Sequence, residues 1–479
     1  MVFNKKKLLL ISGHDLVKIW VLMLMMVWPR FSAWADDERL PFNSSRYKEN
    51  YRFLKNPKQR TEFFDPIKYI PLNNSGSVYL TLGGETRQHY EYIDNNNWGK
   101  GPQDSNGYYL QRYLAHADLH AGKRTRLFFQ LMTGVESGRN GGPRGVDKDS
   151  LAVNQGFVDF ELWNQSEQSL TLRAGRQEII FGSRRFFNYR ERPNMRLSHD
   201  AVTGIFRTGK WDVRVFGARP VTLNPDVFDN QSGAAKTVWG LYGVRQKLPV
   251  NFSLNTDLYY LGLHDRNGTY DQGQAVETRH TLGTRIWGKN KNLDYNFEFL
   301  YQFGKFGQGD IHAYALASDT GYTLSIRGLG KLRLSLRADL YSGDKNPDDA
   351  NLNSFNPFFP KGKHISQLAA SGLINQRDLH PRMTLTVGEH WSVTTSALFI
   401  WRDSLNDGIY SIGNGLLRSG RPSRARYVGT QPELEVKYIF NRHLDLKGTF
   451  VYFRAGKFLK QTSFGLDTTY LGSMLTFRL

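Results

Sequence analysis

The 479-residue chain contains no cysteine. In an exported protein this excludes a disulfide framework, so the fold must rest on backbone pairing and packing. Beyond residue 35 it also lacks any stretch approaching the about 18 consecutive apolar residues that a helical span needs, and its mean hydropathy is −0.50. Helical membrane spans are thereby excluded, but barrel strands are not, because their apolar residues come singly. No repeat at a fixed period of about 20 to 50 residues is present, which argues against a propeller or a solenoid. Acidic residues are in deficit: 63 Lys+Arg stand against 44 Asp+Glu, a net +19. Such charge suits nucleic acid, but an export signal and the absence of a recognition motif exclude that partner.

An enzyme is not expected either. Ser198, His199 and Asp200 are adjacent in sequence, and strand alternation would point them to opposite faces rather than at one reacting atom. Paired acids such as Glu433 and Glu435 share a face but belong naturally to a polar lumen. Nothing in the chain calls for a cofactor.

The amino terminus reads as a secretory signal over residues 1–35. It has a basic region (Lys5, Lys6, Lys7, Lys18), an apolar core from Ile19 to Trp28, and the small-residue motif Ala33-Trp34-Ala35. Its removal takes five basic residues and one acid, leaving 58 against 43, or +15. Residues 36–76 mix charge with aromatics and are expected as a periplasmic segment that either stays outside or tucks into the mouth of a barrel formed by residues 77–479.

From 77 to 479 the dominant pattern is period two. Leu332, Leu334, Leu336, Ala338 and Leu340 alternate with Lys331, Arg333, Ser335, Arg337, Asp339 and Tyr341. Leu293, Tyr295, Phe297, Phe299, Tyr301 and Phe303 alternate with Asp294, Asn296, Glu298 and Gln302. Eighteen such segments can be counted, an even number that suits a closed antiparallel barrel with both termini on one side. Connections alternate in length. Those at 138–150, 179–199, 220–235, 264–274, 343–379 and 403–425 are long, and those at 121–123, 248–250, 288–291, 327–330 and 441–442 are tight. Long outer loops and short periplasmic turns are the signature of a transmembrane β-barrel in the bacterial outer membrane, and 14% aromatic content suits its interfacial girdles.

Several blocks then become familiar: YRFLKNPKQRTEFFDPIKYIPL at 51–72, LTLGGETR at 80–87, LRAGRQEIIFG at 172–182, SGDKNPDDANLNSFNPFFP at 342–360, and PELEVKYIFNRHLDLKGTFVYFRAGKFL at 432–459. Together they resemble the alginate-export outer-membrane family. The resemblance implies an eighteen-stranded barrel that passes an anionic polysaccharide, alginate, out of the cell. Carried over residue by residue, it also shows departures. Glu178 follows Gly175-Arg176-Gln177 where the family continues with a basic residue, and Asn154 stands where an exporter has arginine, whereas Lys447 keeps a basic side chain.

In an aqueous barrel the inward side chains set selectivity. Alternation assigns to the lumen Arg87, Arg112, Asp118, Asp159, Arg173, Arg214, Arg285, Glu298, Arg333, Arg337, Asp339, Glu433, Lys437, Lys447 and Arg478. Gly175 can break register, and the expense of placing charge in lipid assigns Arg176 and Glu178 to the lumen as well. Over all inward positions, thirteen basic residues nearly balance twelve acidic ones. The surplus sits in two connections. Arg184, Arg185, Arg190, Arg192 and Arg196 face only Glu191, and Arg418, Arg421, Arg424 and Arg426 face no acid, together +8 of the +15. As outer loops folded into the mouth they would bind uronate carboxylates bidentately. As exposed loops they would contact anionic lipopolysaccharide.

The acidic loop Asp344-Lys345-Asn346-Pro347-Asp348-Asp349 offers oxygen ligands but lacks a full calcium-loop pattern, and such runs are ordinary turn formers, so no metal is assigned. The functional expectation is passive passage of an anionic polysaccharide or related anionic solute, with a periplasmic export partner conceivable on the inner side. The alternative is a selective porin taking up small sugars or organic acids.

Overall fold

The computed structural model describes residues 39, 41–104, 106–247 and 254–479. The signal reading at 1–35 and the turn at 248–250 lie outside the described residues. Eighteen long strands make up the described fold. They begin with β1 (Val78–Asp94), β2 (Tyr108–Ala121), β3 (Thr125–Ser137), β4 (Asp149–Gln165), β5 (Gln168–Gln177) and β6 (His199–Arg207). Next come β7 (Trp211–Thr222), β8 (Lys236–Arg245), β9 (Asn255–Tyr270), β10 (Gly273–Asn290), β11 (Leu293–Phe306) and β12 (Gly309–Ile326). The chain closes with β13 (Gly330–Tyr341), β14 (Gln376–Val387), β15 (Trp391–Arg402), β16 (Tyr427–Ile439), β17 (Leu444–Ala455) and β18 (Thr468–Arg478).

Each strand pairs antiparallel with the next, and β1 pairs with β18 from Glu85 opposite Arg478 to Asp94 opposite Thr469, which closes the barrel. The faces match the sequence alternation. On β13, Leu334 and Leu336 are exposed while Asp339 and Tyr341 are buried; on β11, Phe297, Phe299 and Phe303 point out while Glu298 and Gln302 point in. An outward belt of bare Leu and Phe around a closed cylinder is a lipid-facing surface. No described helix is long and apolar enough to cross a membrane, so crossing is by strands.

One connection departs from expectation. Residues 264–274, read as a long loop, continue the strands: β9 runs to Tyr270 and β10 starts at Gly273, leaving a two-residue turn. The hairpin there carries a register shift between Asp265 and Gly268, and a strand rising beyond the hydrocarbon needs no apolar face, so its pattern is lost while its pairing persists.

β1 begins seven residues before its pairing with β18, and residues 78–84 would expose an unpaired edge. The segment ahead of the barrel covers it. Ile70 and Pro71 pair with Leu80 and Tyr79, and the Leu72 amide donates to the Val78 carbonyl at 2.8 Å. Lys68 Nζ donates to the Leu82 carbonyl at 3.0 Å, and Gly84 and Leu479 exchange backbone hydrogen bonds. Arg46 spans the joint, donating to the carbonyls of Gly84 at 2.9 Å and Leu479 at 2.7 Å. Residues 41–50 thus lie inside the barrel at its short-turn end, with Tyr47 wedged against Phe128 and Phe157. In outer-membrane barrels that end faces the periplasm.

The other half of the interior is filled by two inserted loops, 178–198 and 342–375. Phe181, Phe186 and Phe187 from the first and Phe355, Phe358 and Phe359 from the second are all buried in one core. The loops pair with each other, the Asn188 amide donating to the Phe359 carbonyl and the Phe359 amide to that of Phe186, both at 3.0 Å.

Arg46→Ala should lower unfolding stability in detergent by about 1–3 kcal/mol by leaving two seam carbonyls short of a donor, whereas Arg52→Ala, on the exposed face, should change it by less than about 0.5 kcal/mol. Urea titration followed by the folded-band gel shift measures both.

Candidate functional site

Where the two inserted loops, the amino-terminal segment and the wall formed by β16, β17, β18 and β1 meet, they enclose a chamber of about 500 Å³. Pro41, Phe42 and Ser44 form its periplasmic floor. Arg184, Asn188, Tyr189, Glu191, Arg192 and Arg196 come from the first loop, and Lys361, Lys363 and Gln367 from the second. The wall supplies Glu85, Arg87, Glu435, Lys437, Asp445, Lys447 and Arg478, with Arg442 from the turn before β17. Ten of the lining residues are basic and four acidic.

Most of these charges hold the loop in place. Glu191 is the hinge of the network. Its carboxylate accepts from Arg112 in a very short contact, forms an ion pair with Arg196 at 2.9 Å, and lies 3.9 Å from Arg87. Arg87 also grips the loop backbone through the carbonyls of Glu191 at 2.7 Å and Pro193 at 3.1 Å. Burial alone would raise the Glu191 pKa, but Arg112, Arg196 and Arg87 overcome it and hold the carboxyl well below the usual range. Glu85 ties Arg112 at 2.7 Å to Arg478 at 3.3 Å.

Two cations stand apart. Among the described residues, Arg184 and Lys361 make no side-chain ion pair. Burial, then the neighbouring charges of Arg184, Lys363 and Arg337, lowers Lys361 to about 8. A lysine kept beside other cations, with no acid paired to it, is a centre of positive potential in the chamber.

The other positions assigned from the sequence are spread along the wall and the loops. Asp118 pairs with Arg126 at 2.7 Å, Asp159 with Arg173 at 2.7 Å and Arg214 with Asp212 at 3.1 Å, all toward the periplasmic end. On the opposite wall Arg285 binds Asp257 at 2.9 Å, Arg333 and Arg337 share Asp319, and Asp339 meets His364 at 2.9 Å. Glu298 accepts from Tyr259 at 2.8 Å and lies 3.4 Å from Arg185 of the loop. Glu433 accepts from the Gln367 amide at 3.1 Å; Lys437 and Lys447 each sit 3.7 Å from an acid, Asp445 and Glu435 respectively. Arg190 lies over Phe359, and Arg192 pairs with Glu91 at 3.3 Å.

Arg176 is a correction. Register sets Gly175 opposite inward Phe157 and Ala201, so Arg176 turns outward opposite Gly156 and Asp200 and binds Asp200 at 2.8 Å. Charge on that face is tolerated because both partners sit at the strand ends, where the Asn230 carbonyl adds a further acceptor. Gly175 itself has φ +126 and no room for a β-carbon beside the Gly156 carbonyl. Glu178, one step beyond the strand, is buried inside: it accepts from Asn154 at 2.9 Å and Arg196 at 3.5 Å. The two departures from the family pattern, Asn154 and Glu178, therefore touch each other.

The second arginine cluster does not reach the chamber. Arg418 is buried over Trp98, Arg421 pairs with Asp348 at 3.2 Å, Arg424 donates to Asn406, and Arg426 donates to the Arg402 carbonyl at 2.9 Å. The first cluster, conversely, is inside the barrel and out of reach of lipopolysaccharide. Ser198, His199 and Asp200 do diverge: Ser198 binds Asn154, His199 lies among Phe187 and Phe359, and Asp200 faces out. Asp344, Asp348 and Asp349 each accept from, or pair with, a neighbouring loop residue. Sequence reading missed Lys361 and Lys363; the signal was Phe358-Phe359-Pro360 just before them, an apolar cluster that anchors the loop inside and carries the lysines with it.

The family profile described as Alginate export matches residues 78–466. The chain belongs to that family. No curated protein sequence matches it. Solved structures similar to it include OpdK of Pseudomonas aeruginosa with vanillate, at 10% identity and TM-score 0.55, over 84% of this chain and 98% of that one. OccAB1 of Acinetobacter baumannii matches at 12% identity and TM-score 0.54 over 84% and 96%. OccK2 (OpdF) of Pseudomonas aeruginosa, in complex with glucuronate, matches at 10% identity and TM-score 0.53 over 86% and 98%. At such identities the likeness shows the fold. This alginate-export family member is an outer-membrane β-barrel of the channel type.

Glu191→Gln should raise the chloride-to-potassium permeability ratio roughly threefold, because it removes one of the acids that Arg112 and Arg196 share. Lys361 is charged below its pKa, so anion selectivity should fall as pH rises from about 7 to about 9, and Lys361→Gln should flatten that fall. Reversal potentials in a KCl gradient read both.

Proposed function

We propose that the protein is a passive, cofactor-free channel for small acidic solutes of uronate type, acting by binding and release rather than by chemical turnover. The observation that carries this is the chamber: about 500 Å³, ten bases against four acids, and two cations, Arg184 and Lys361, that make no ion pair among the described residues. That volume falls within the about 300–1,000 Å³ of small-molecule sites. The neighbour crystallised with glucuronate supports the same chemistry.

The family match favours a second reading, in which an alginate chain threads the barrel. Such a chain needs the 178–198 loop to leave the lumen, and that loop is held by Arg87, Arg112, Arg196 and Arg185. The exposed Arg421, Arg424 and Arg426 are suited to lipopolysaccharide outside.

In planar bilayers, glucuronate should block the current in a saturable way, and oligouronates should block no better per carboxylate. Block by oligouronates alone would transfer the assignment to the polymer; current untouched by either would remove the acidic-sugar reading.

A further inference from the structure

On the periplasmic side of the floor lies another cavity, of about 420 Å³, between residues 47–50 and the strand ends from β2 to β7. Five basic residues line it, Lys48, Arg126, Arg173, Arg207 and Arg214, against Glu49 and Asp159. Arg126 and Arg173 are engaged by Asp118 and Asp159, and Arg207 and Arg214 share the single Asp212. Lys48 is exposed to the cavity and makes no ion pair among the described residues. It comes from the amino-terminal segment, not from the barrel wall, and its near cationic neighbours are Arg214 of this cavity and Arg184 of the upper chamber.

We propose that this cavity is a second anion station, in which Lys48 receives the carboxylate of a small acidic solute at the periplasmic mouth, with Arg184 linking it to the upper chamber. The inference rests on the small-acid reading above. Two cation-rich chambers on either side of residues 44–47 divide the path into two short transfers, and a solute leaving one set of cations meets the other before it is fully hydrated. The wall of the lower station keeps one cation in excess, because Arg207 and Arg214 share Asp212, and the inserted segment adds Lys48, which makes no ion pair among the described residues. Lys48 is thus a specificity-determining residue supplied by the chain ahead of the barrel.

The test is glucuronate block of single channels, added separately to each side. Orientation is read from R421C, the sole cysteine in that variant, with a membrane-impermeant thiol reagent. Lys48→Gln, and independently Arg214→Gln, should slow blocking from the periplasmic side by roughly three- to tenfold and leave blocking from the outer side unchanged. Equal block of Lys48→Gln and the unaltered chain from both sides would overturn the second station while leaving the channel reading intact. Equal weakening from both sides would mean one continuous site, and would overturn it too. Absence of block in the unaltered chain from either side would defeat the small-acid reading itself.

Discussion

Closure of β1 on β18 is the constraint on which the rest of the molecule depends. In hydrocarbon, every backbone donor and acceptor of a strand must be met by its neighbours, and a single open edge would forfeit that. Here the two end strands are staggered: β18 stops opposite Glu85 while β1 starts at Val78. The joint is completed by Ile70, Lys68 and Arg46, so the segment ahead of the barrel is part of its wall as well as its contents. Having been drawn to the seam, residues 41–50 enter the lumen, and the floor between the two cavities is a consequence of how the cylinder is sealed.

A closed cylinder of eighteen strands has a wide interior, and this one is filled from both ends. Loops 178–198 and 342–375 bring phenylalanines that pack against each other, and arginines that meet acids projecting from the strands. Buried charges are tolerated only when paired and hydrogen-bonded. That accounts for the near balance of inward charge on the strands, where wall charges such as Arg173, Arg285 and Arg337 meet acids of the wall. Arg112, wholly buried between Glu85 and Glu191, is the clearest case.

All eighteen strands were legible in the sequence because lipid on one side and polar groups on the other impose a period of two for as long as the strand stays in the membrane. Legibility ended where that constraint ends. Above the hydrocarbon, β9 and β10 continue with no apolar face, so 264–274 looked like a loop. At Arg176 the argument from lipid cost pointed inward, but the residue sits at the strand end, where Asp200 across the ladder turns outward with it. The inward course of the two long loops had no period to announce it; the dense phenylalanines at 355–359 were the one trace. Glu191 looked like a lone acid in a basic run, and only the fold brings Arg87 and Arg112 to it.

The division of labour between wall and insert bears on how such a channel acquires its selectivity. A charge changed on the wall breaks a pair and loosens a loop, so wall positions answer first to packing. Of the cations lining the two cavities, those that make no ion pair among the described residues, Arg184, Lys361 and Lys48, lie on inserted segments, where a change alters the field along the path without disturbing the ladder. On the proposed function, a solute carboxylate would complete the same kind of pair that the wall already makes with itself, and would leave because each such cation is also crowded by others. Weak, repeated pairing of this kind lets an anion enter a narrow, charged lumen without being trapped there.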